Sequence, residues 1–229
     1  FAYSASHCQS IGEYRIALFY GVLLMIDFFR YIHRTHNKIG ATLAHLDGIP
    51  ALGLRLYLVP VFWMAGSSKM ANFSATAEWF GNSDWGLGLP IPYVLAFLAT
   101  ATEVLGAGLL LLGLASRWIA IPLAVTMIVA ALSVHWQFGW QAIADASAPF
   151  ANARVAESVD KLAAARSLLD AHGNYDWLTS SGNIVILNNG IEFAATYLFM
   201  LLALMAMGGG RYVSADYWLK RKFEQATKV

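Results

Sequence analysis

Long apolar segments separated by short polar segments dominate the chain. About 20 apolar residues in a helix cross the hydrocarbon core of a bilayer, and five runs approach or exceed that length. They are Tyr14–Tyr31, Ile49–Gly66, Ile91–Arg117, Trp118–Trp136 and Ile191–Met207. The pattern predicts an all-α integral membrane bundle of five transmembrane helices, in which the third and fourth form a tight hairpin.

Two polar segments interrupt this pattern. Residues Met70–Pro90 contain Trp79 and Trp85 among small polar residues and predict a surface loop with interfacial tryptophans. Residues 139–189 form the only long polar region, and apolar or long side chains recur there in steps of three and four: Val155, Val159, Leu162, Arg166 and Leu169. This spacing predicts an amphipathic helix outside the hydrocarbon, between the fourth and fifth spans, that ends near Gly173.

The distribution of basic residues predicts the orientation of the bundle. If the first helix runs from outside to inside, nine Lys and Arg residues fall on the inner side: Arg30, Arg34, Lys38, Arg117, Arg211, Lys220, Arg221, Lys222 and Lys228. Four fall on the outer side: Lys69, Arg154, Lys161 and Arg166. The positive-inside rule therefore places the N-terminus and the 139–189 loop outside, and the basic tail 217–229 in the cytoplasm.

Composition agrees with a membrane location and excludes several classes of function. The chain is 58% hydrophobic and 13% charged, whereas a soluble domain carries about 25% charged residues. A net charge of +1 argues against a nucleic-acid partner. Cys8 is the only cysteine, and the histidines are too scattered for a haem held by two of them. We therefore expect no metal site and no cofactor bound by this chain alone.

Two ionisable residues are expected within the hydrocarbon. Glu103 lies roughly 18 Å below the outer end of its span, and Arg55 lies roughly 20 Å below the outer end of its own, at 1.5 Å of rise per residue. A charge at that depth needs a partner, so we expect Arg55 and Glu103 to pair inside the bundle. The sequence leaves open whether this pair is a catalytic centre or only fixes how the helices pack.

A second group of polar residues is expected at the outer interface. Lys69 ends the second span, His135 ends the fourth, and Glu192 opens the last beside Asn188 and Asn189. An ammonium, an imidazole and a carboxylate at one interface could bind a polar headgroup or relay protons. Ordinary snorkelling of interfacial side chains explains the same positions without a site.

The residues from Arg55 to Asp216 resemble the DoxX family of small membrane proteins. The resemblance rests on RLYLVPVFWMAGSSK (Arg55–Lys69), on TEVLGAGLLLLGLASR (Thr102–Arg117), and on a final span closed by GGGRYVSAD (Gly208–Asp216). It implies a four-helix membrane domain over residues 49–216, with residues 139–189 as an insertion. Residues 1–48 then form an extra N-terminal transmembrane helix and an inner linker.

Members of that family resemble membrane subunits associated with redox systems, including thiosulfate:quinone oxidoreductase. The resemblance implies a subunit of a redox complex in the bacterial inner membrane that contacts other membrane proteins and a quinone or another lipid-soluble substrate. Glu103 and Arg55 are then the candidate catalytic residues, and Lys69, His135 and Glu192 the candidate binding residues. A non-catalytic anchoring or assembly subunit is the alternative, and the sequence leaves open whether the chain is itself an enzyme.

Overall fold

The computed structural model describes residues 25–38, 40, 46 and 48–227, and the chain divides into two compact units, residues 1–47 and 48–229. In the first unit, residues 25–38 are helical and form α1. The predicted first transmembrane helix, Tyr14–Tyr31, lies partly outside the described residues. Within α1, Arg30 Nη1 lies 3.3 Å from Asp27 Oδ1 in an exposed pair one turn apart.

The second unit is helical throughout its ordered elements. Among the described residues there is no β-strand, and the only bridge of that kind pairs Ile143 with Leu187. The helices are α2 (Gly48–Ala71), α3 (Phe73–Gly81), α4 (Pro92–Leu112), α5 (Ser116–Val129), α6 (Ala153–His172), α7 (Tyr175–Thr179), α8 (Glu192–Met207) and α9 (Ala215–Ala226). The predicted all-α class is confirmed.

Four of these helices pack around one apolar core. Helix α2 lies along α4, α5 lies along α8, and contacts between α4 and α5 and between α2 and α8 close the bundle. Leucine, alanine and phenylalanine side chains fill its centre: Ala51, Leu58, Phe62, Ala107, Leu110, Ala120, Leu123, Ala124, Leu201 and Leu204. We call the end where residues 113–115 join α4 to α5 the hairpin end, and the opposite end the loop end.

Within the part of the chain that the structure describes, three helices are long and apolar enough to cross a membrane. They are α2, α4 and the continuous helical segment Ser116–Phe138, in which α5 is extended by a π-helical turn and a short 3₁₀ turn. Helix α8 has the predicted position but is a shorter apolar helix of 16 residues. The structure therefore confirms three of the predicted spans by length and composition.

The segment Met70–Pro90 is not the surface loop predicted from its polar residues. Helix α3 follows α2 after a break at Asn72, and it packs on the first half of α4 through Ala77 and Phe80, which contact Ala96. The small residues that suggested a loop allow this close packing. As a result, α2 and α3 together run along the whole of α4.

The polar region between the long helices contains the predicted helix. Helix α6 ends at His172, directly before Gly173, as its apolar spacing predicts, and the Asn152 side chain caps its start by accepting from Val155 N. Val155 is 1% exposed, whereas Val159, on the same predicted face, is 47% exposed. The loop is therefore a small helical layer at the loop end of the bundle.

Candidate functional site

Lys69 and Glu103 form the most deeply placed ion pair among the described residues. Lys69 lies in the last turn of α2, and Glu103 lies in the middle of α4 where the two helices cross. Gly66, one turn before Lys69, makes the crossing possible, because a Cβ there would lie 2.8 Å from Val104 Cγ2 and 3.0 Å from Glu103 Cβ. The backbone of α2 can therefore approach α4 closely enough for the lysine to reach the carboxylate.

The geometry of the pair is bidentate. Lys69 Nζ donates to Glu103 Oε1 over 2.9 Å and to Oε2 over 2.7 Å. The carboxylate side chain is 5% exposed, while the lysine side chain is 26% exposed. An ammonium has three donors, and no third acceptor for Lys69 lies among the described residues. One N–H of a partly buried cation therefore has no acceptor among the described residues.

The pair lies near the middle of the long apolar helix α4. Glu103 is eleven residues beyond Pro92, so it lies ~16 Å from the start of this helix at 1.5 Å of rise per residue. Helix α2 ends two residues after Lys69, and the backbone turns at Asn72 before α3 continues along α4. The apolar run that ends at Lys69 is therefore followed by a second helix, and Lys69 lies beside the break between the two.

The predicted pairing of Arg55 with Glu103 is wrong. Arg55 is 1% exposed, and its guanidinium donates to three backbone carbonyls, those of Leu110 (3.0 Å), Tyr212 (2.9 Å) and Val213 (3.0 Å). Because α2 and α4 are antiparallel, Arg55 reaches the end of α4, about two turns beyond Glu103. The prediction placed both residues at one depth because it counted from Lys69 as the outer end of α2.

Arg55 and Asp216 instead stabilise the hairpin end. The carbonyl of Leu110 belongs to the last turn of α4, where the helix dipole favours a cation. Asp216 Oδ1 accepts from Ala115 N over 2.7 Å, and Oδ2 accepts from Ser116 N over 2.9 Å, so a carboxylate sits at the start of α5. A guanidinium and a carboxylate thus compensate the two helix ends that meet in the hairpin.

The turn itself depends on this arrangement. Gly113 has φ of +62°, and a Cβ there would collide with the guanidinium of Arg55. Ala115 also adopts a left-handed conformation, with φ of +50°, and the bond from its N–H to Asp216 holds it there. Sequence reasoning missed Asp216 as a partner, although its presence in the GGGRYVSAD segment was the available signal.

His135 and Glu192 lie together at the loop end, but Lys69 does not join them. His135 Nδ1 lies 2.8 Å from the carbonyl of Asn189, and because a carbonyl only accepts, this nitrogen carries the proton. Glu192 Oε2 accepts from Ala142 N over 2.9 Å. No bond joins Lys69 to His135 or Glu192 among the described residues, and these two hold the loop onto the ends of α5 and α8.

Asn188 has the most thoroughly satisfied side chain in this part of the molecule. It is 2% exposed, and its Nδ2 donates to the carbonyls of Phe138 (2.9 Å) and Gln141 (2.7 Å). Its Oδ1 accepts from Arg154 of α6 over 3.2 Å. These bonds join the end of the fourth span, the loop and α6. The loop is therefore held in place by side-chain hydrogen bonds at the loop end of the bundle.

A known family matches the segment of the chain that contains the Lys69–Glu103 ion pair. Residues 51–136 match the sequence profile of the DoxX family, which confirms the resemblance over that segment. A curated relative named "Putative oxidoreductase CatD", from Bacillus subtilis (strain 168), is 30% identical over 86 residues. The match covers 38% of this chain and 60% of the relative, less than two thirds of its length. No solved structure matches the chain.

Proposed function

We propose, on the premise that residues 51–136 are a DoxX-family segment, that this multi-pass membrane protein is a membrane subunit of a redox system whose Lys69–Glu103 pair contacts a quinone. The family match and a relative named as an oxidoreductase support an association with redox chemistry. The quinone, the partner and the bacterial inner membrane belong to the proposal. So does the cytoplasmic position of the hairpin end, which the distribution of Lys and Arg favours.

The observation that carries the proposal is the third N–H of Lys69. The side chain is 26% exposed and donates only to Glu103 among the described residues. A quinone diffuses in the bilayer and presents carbonyl oxygens, which are acceptors without a donor of their own. At a depth without water, a charged donor with a free N–H binds such an acceptor more strongly than it would at the surface.

Glu103 has a separate part in this proposal. Its carboxylate compensates the ammonium while no ligand is present, and it fixes the direction in which the free N–H points. Reduction of a quinone takes up protons as well as electrons, and the pair is the nearest proton-carrying group to a carbonyl bound at Lys69. The electrons come from a partner protein, so the chain contributes binding and proton supply.

The other predicted residues take different parts. Arg55 serves the hairpin end and does not touch the ligand. His135 engages only Nδ1 among the described residues, so its other ring nitrogen remains a candidate proton carrier at the loop end. Glu192 holds the loop through Ala142 N, which leaves it a weaker candidate for headgroup binding.

Photolabelling of the purified protein in nanodiscs with an azido-quinone tests the proposal directly. We expect labelled peptides from α2 and α4 near Lys69 and Glu103, and Lys69→Met should reduce labelling by about tenfold, which corresponds to the loss of roughly 1.4 kcal/mol from one charge-assisted hydrogen bond. Lys161→Met is the matched control, because Lys161 also pairs with a glutamate, at 2.8 Å, but is exposed on α6. Equal labelling of both variants would refute the proposal.

The anchoring alternative has one observation in its favour. Helices α6 and α7 present exposed apolar side chains outside the bundle, among them Leu168 (64% exposed) and Trp177 (70% exposed). If the chain co-purifies in mild detergent with a redox enzyme whose quinone-linked activity survives Lys69→Met, an assembly role is favoured. If that activity falls with the substitution while co-purification persists, the binding role is favoured.

A further inference from the structure

The C-terminal helix α9 is fixed to the hairpin end at its start and free along its length. The Ser214 hydroxyl donates to the carbonyl of Gly113 over 3.1 Å, and Asp216 accepts from Ala115 N and Ser116 N. These bonds hold the first turn of α9 (Ala215–Ala226) beside the junction of α4 and α5. These bonds therefore fix the position along the bundle at which α9 begins.

The start of α9 lies where the exposed apolar surface of α4 and α5 ends. Trp118 lies in the first turn of α5, two residues beyond Ser116, and is 76% exposed. Leu112, the last residue of α4, is 59% exposed. Tryptophans collect where the hydrocarbon of a bilayer meets the headgroups. Helix α9 thus begins at the depth that Trp118 marks as the interface.

The sequence of α9 has two faces. At 100° per residue, Ala215, Leu219, Phe223 and Ala226 fall on one side of the helix with Lys222 at its edge, and Lys220, Arg221 and Glu224 fall on the other side. Phe223 is 71% exposed and Leu219 is 45% exposed, so the apolar face is not covered by the bundle. With 12 residues and a polar face, α9 is too short and too polar to span a bilayer, and it has the pattern of a helix that lies in the interface.

The basic residues of α9 indicate which kind of surface the helix contacts. Lys220, Arg221 and Lys222 follow one another along the helix, and the guanidinium of Arg221 lies 5.8 Å from the ring centroid of Trp218. Lys220 is engaged with Glu224 only loosely, at 3.8 Å, in an exposed pair. Basic side chains beside an apolar face match the negative headgroups and acyl chains of an anionic bilayer.

We propose that α9 lies in the membrane interface, with Leu219 and Phe223 among the upper acyl chains and with its basic residues on anionic lipid headgroups. Its anchorage at the end of the bundle, the level of Trp118 and the charge of its polar face all point to lipid. The proposal does not depend on quinone binding at Lys69, since the two sites lie at different depths and on different helices.

Spin labels on adjacent residues of α9 test this in the full-length chain. Cys8 is the only native cysteine, so Cys8→Ser gives a background for single labels at Phe223→Cys or Glu224→Cys. The two positions differ by only about 1.5 Å along α9, and they occupy different faces of the helix. In vesicles containing phosphatidylglycerol, we expect the label at 223 to be relaxed several-fold more by oxygen than by a water-soluble nickel chelate, and the label at 224 to show the reverse.

The outcomes that would overturn the proposal are distinct. Equal access of the nickel chelate to both labels would show that α9 stands in water. Shielding of both labels from both agents would show that a protein, or a second copy of the chain, covers the helix. A triple variant, Lys220→Gln with Arg221→Gln and Lys222→Gln, should increase access of the chelate to the label at 223. An unchanged value would refute the assigned headgroup contacts.

Discussion

Lys69 Nζ lies 2.7 Å from Glu103 Oε2, and one partner of this ion pair is almost completely buried while the other keeps an accessible side. A buried charge pair contributes little net stability, because the loss of hydration of both groups offsets their attraction. Removal of one partner is costly, since it leaves the other charge without compensation. The pair therefore makes the bundle depend on both residues together, while its exposed side is available to a ligand.

A double-mutant cycle would separate the pair from its single charges. We expect Lys69→Met to lower the free energy of unfolding by about 3 kcal/mol, because it leaves the Glu103 carboxylate buried without a cation. The double variant Lys69→Met with Glu103→Met should recover most of that loss, since two apolar side chains of similar length pack at the helix crossing. Denaturation in mixed detergent micelles, followed by tryptophan fluorescence, measures both values.

The pair Glu157–Lys161 is the control for this cycle. It is exposed on α6, and the hydrogen bond from Lys161 lowers the pKa of the Glu157 carboxyl. Lys161→Met should leave the free energy of unfolding unchanged within the error of the measurement, as is usual for exposed pairs. If Lys69→Met were equally harmless, Lys69 and Glu103 would not be coupled in the folded protein.

Arg55 should matter for stability rather than for ligand binding. Arg55→Met removes a buried guanidinium that donates to the carbonyls of Leu110, Tyr212 and Val213, of which Leu110 O still accepts from Gly113 N. We expect a loss of about 3 kcal/mol in the free energy of unfolding and no change in azido-quinone labelling of the protein that remains folded. Arg117→Met is the control, since Arg117 lies at the same end but is exposed and reaches Met207 O only at 3.4 Å.

Asp216 should be the second determinant of the hairpin end. Asp216→Ala removes the acceptor of two N–H groups at the start of α5 and the negative charge that faces Arg55. A lost cap of this kind lowers the free energy of unfolding by about 1–2 kcal/mol. Asp216→Asn should show a smaller loss, because the amide oxygen still accepts one of the two bonds. An equal loss in both variants would mean that charge, not the bonds, is what matters there.

The helices could be predicted from the sequence because their signals are local. The apolar runs placed the start of α4, the Ser116–Phe138 segment and α8 within two residues, although α4 ends five residues before the predicted Arg117, and the spacing from Val155 to Leu169 placed α6. Helix α3 could not be read in the same way. Its polar, small residues resemble a loop, and only packing against Ala96 of α4 shows why they are helical.

The partners of Arg55 and Glu103 could not be predicted from the sequence for a related reason. The depths of Arg55 and Glu103 were counted from the ends of apolar runs, and the run that ends at Lys69 continues as α3 after the break at Asn72. The shift places Lys69 at the level of Glu103 and places Arg55 at the hairpin end. Chain segments more than 100 residues apart decide the rest, since Arg55 is held by the carbonyls of Tyr212 and Val213.

The crossing of α2 and α4 gives the sharpest test of this geometry, through two glycines on the same helix. Gly66 faces α4, and a Cβ there would lie 2.8 Å from Val104 Cγ2 and 2.9 Å from Val104 N. Gly53 faces outward, with nothing within 4 Å of an added Cβ. Gly66→Ala should therefore lower the free energy of unfolding by about 1–3 kcal/mol, while Gly53→Ala should be neutral or stabilising by up to ~1 kcal/mol.

The same two variants connect the crossing to ligand binding. Separation of α2 from α4 at Gly66 lengthens the path from Lys69 to Glu103, so the ammonium should lose its fixed direction. We expect Gly66→Ala to reduce azido-quinone labelling and Gly53→Ala to leave it unchanged. If Gly66→Ala reduced stability but not labelling, the position of Lys69 relative to Glu103 would not control access to the ligand, and the lysine alone would have to account for binding.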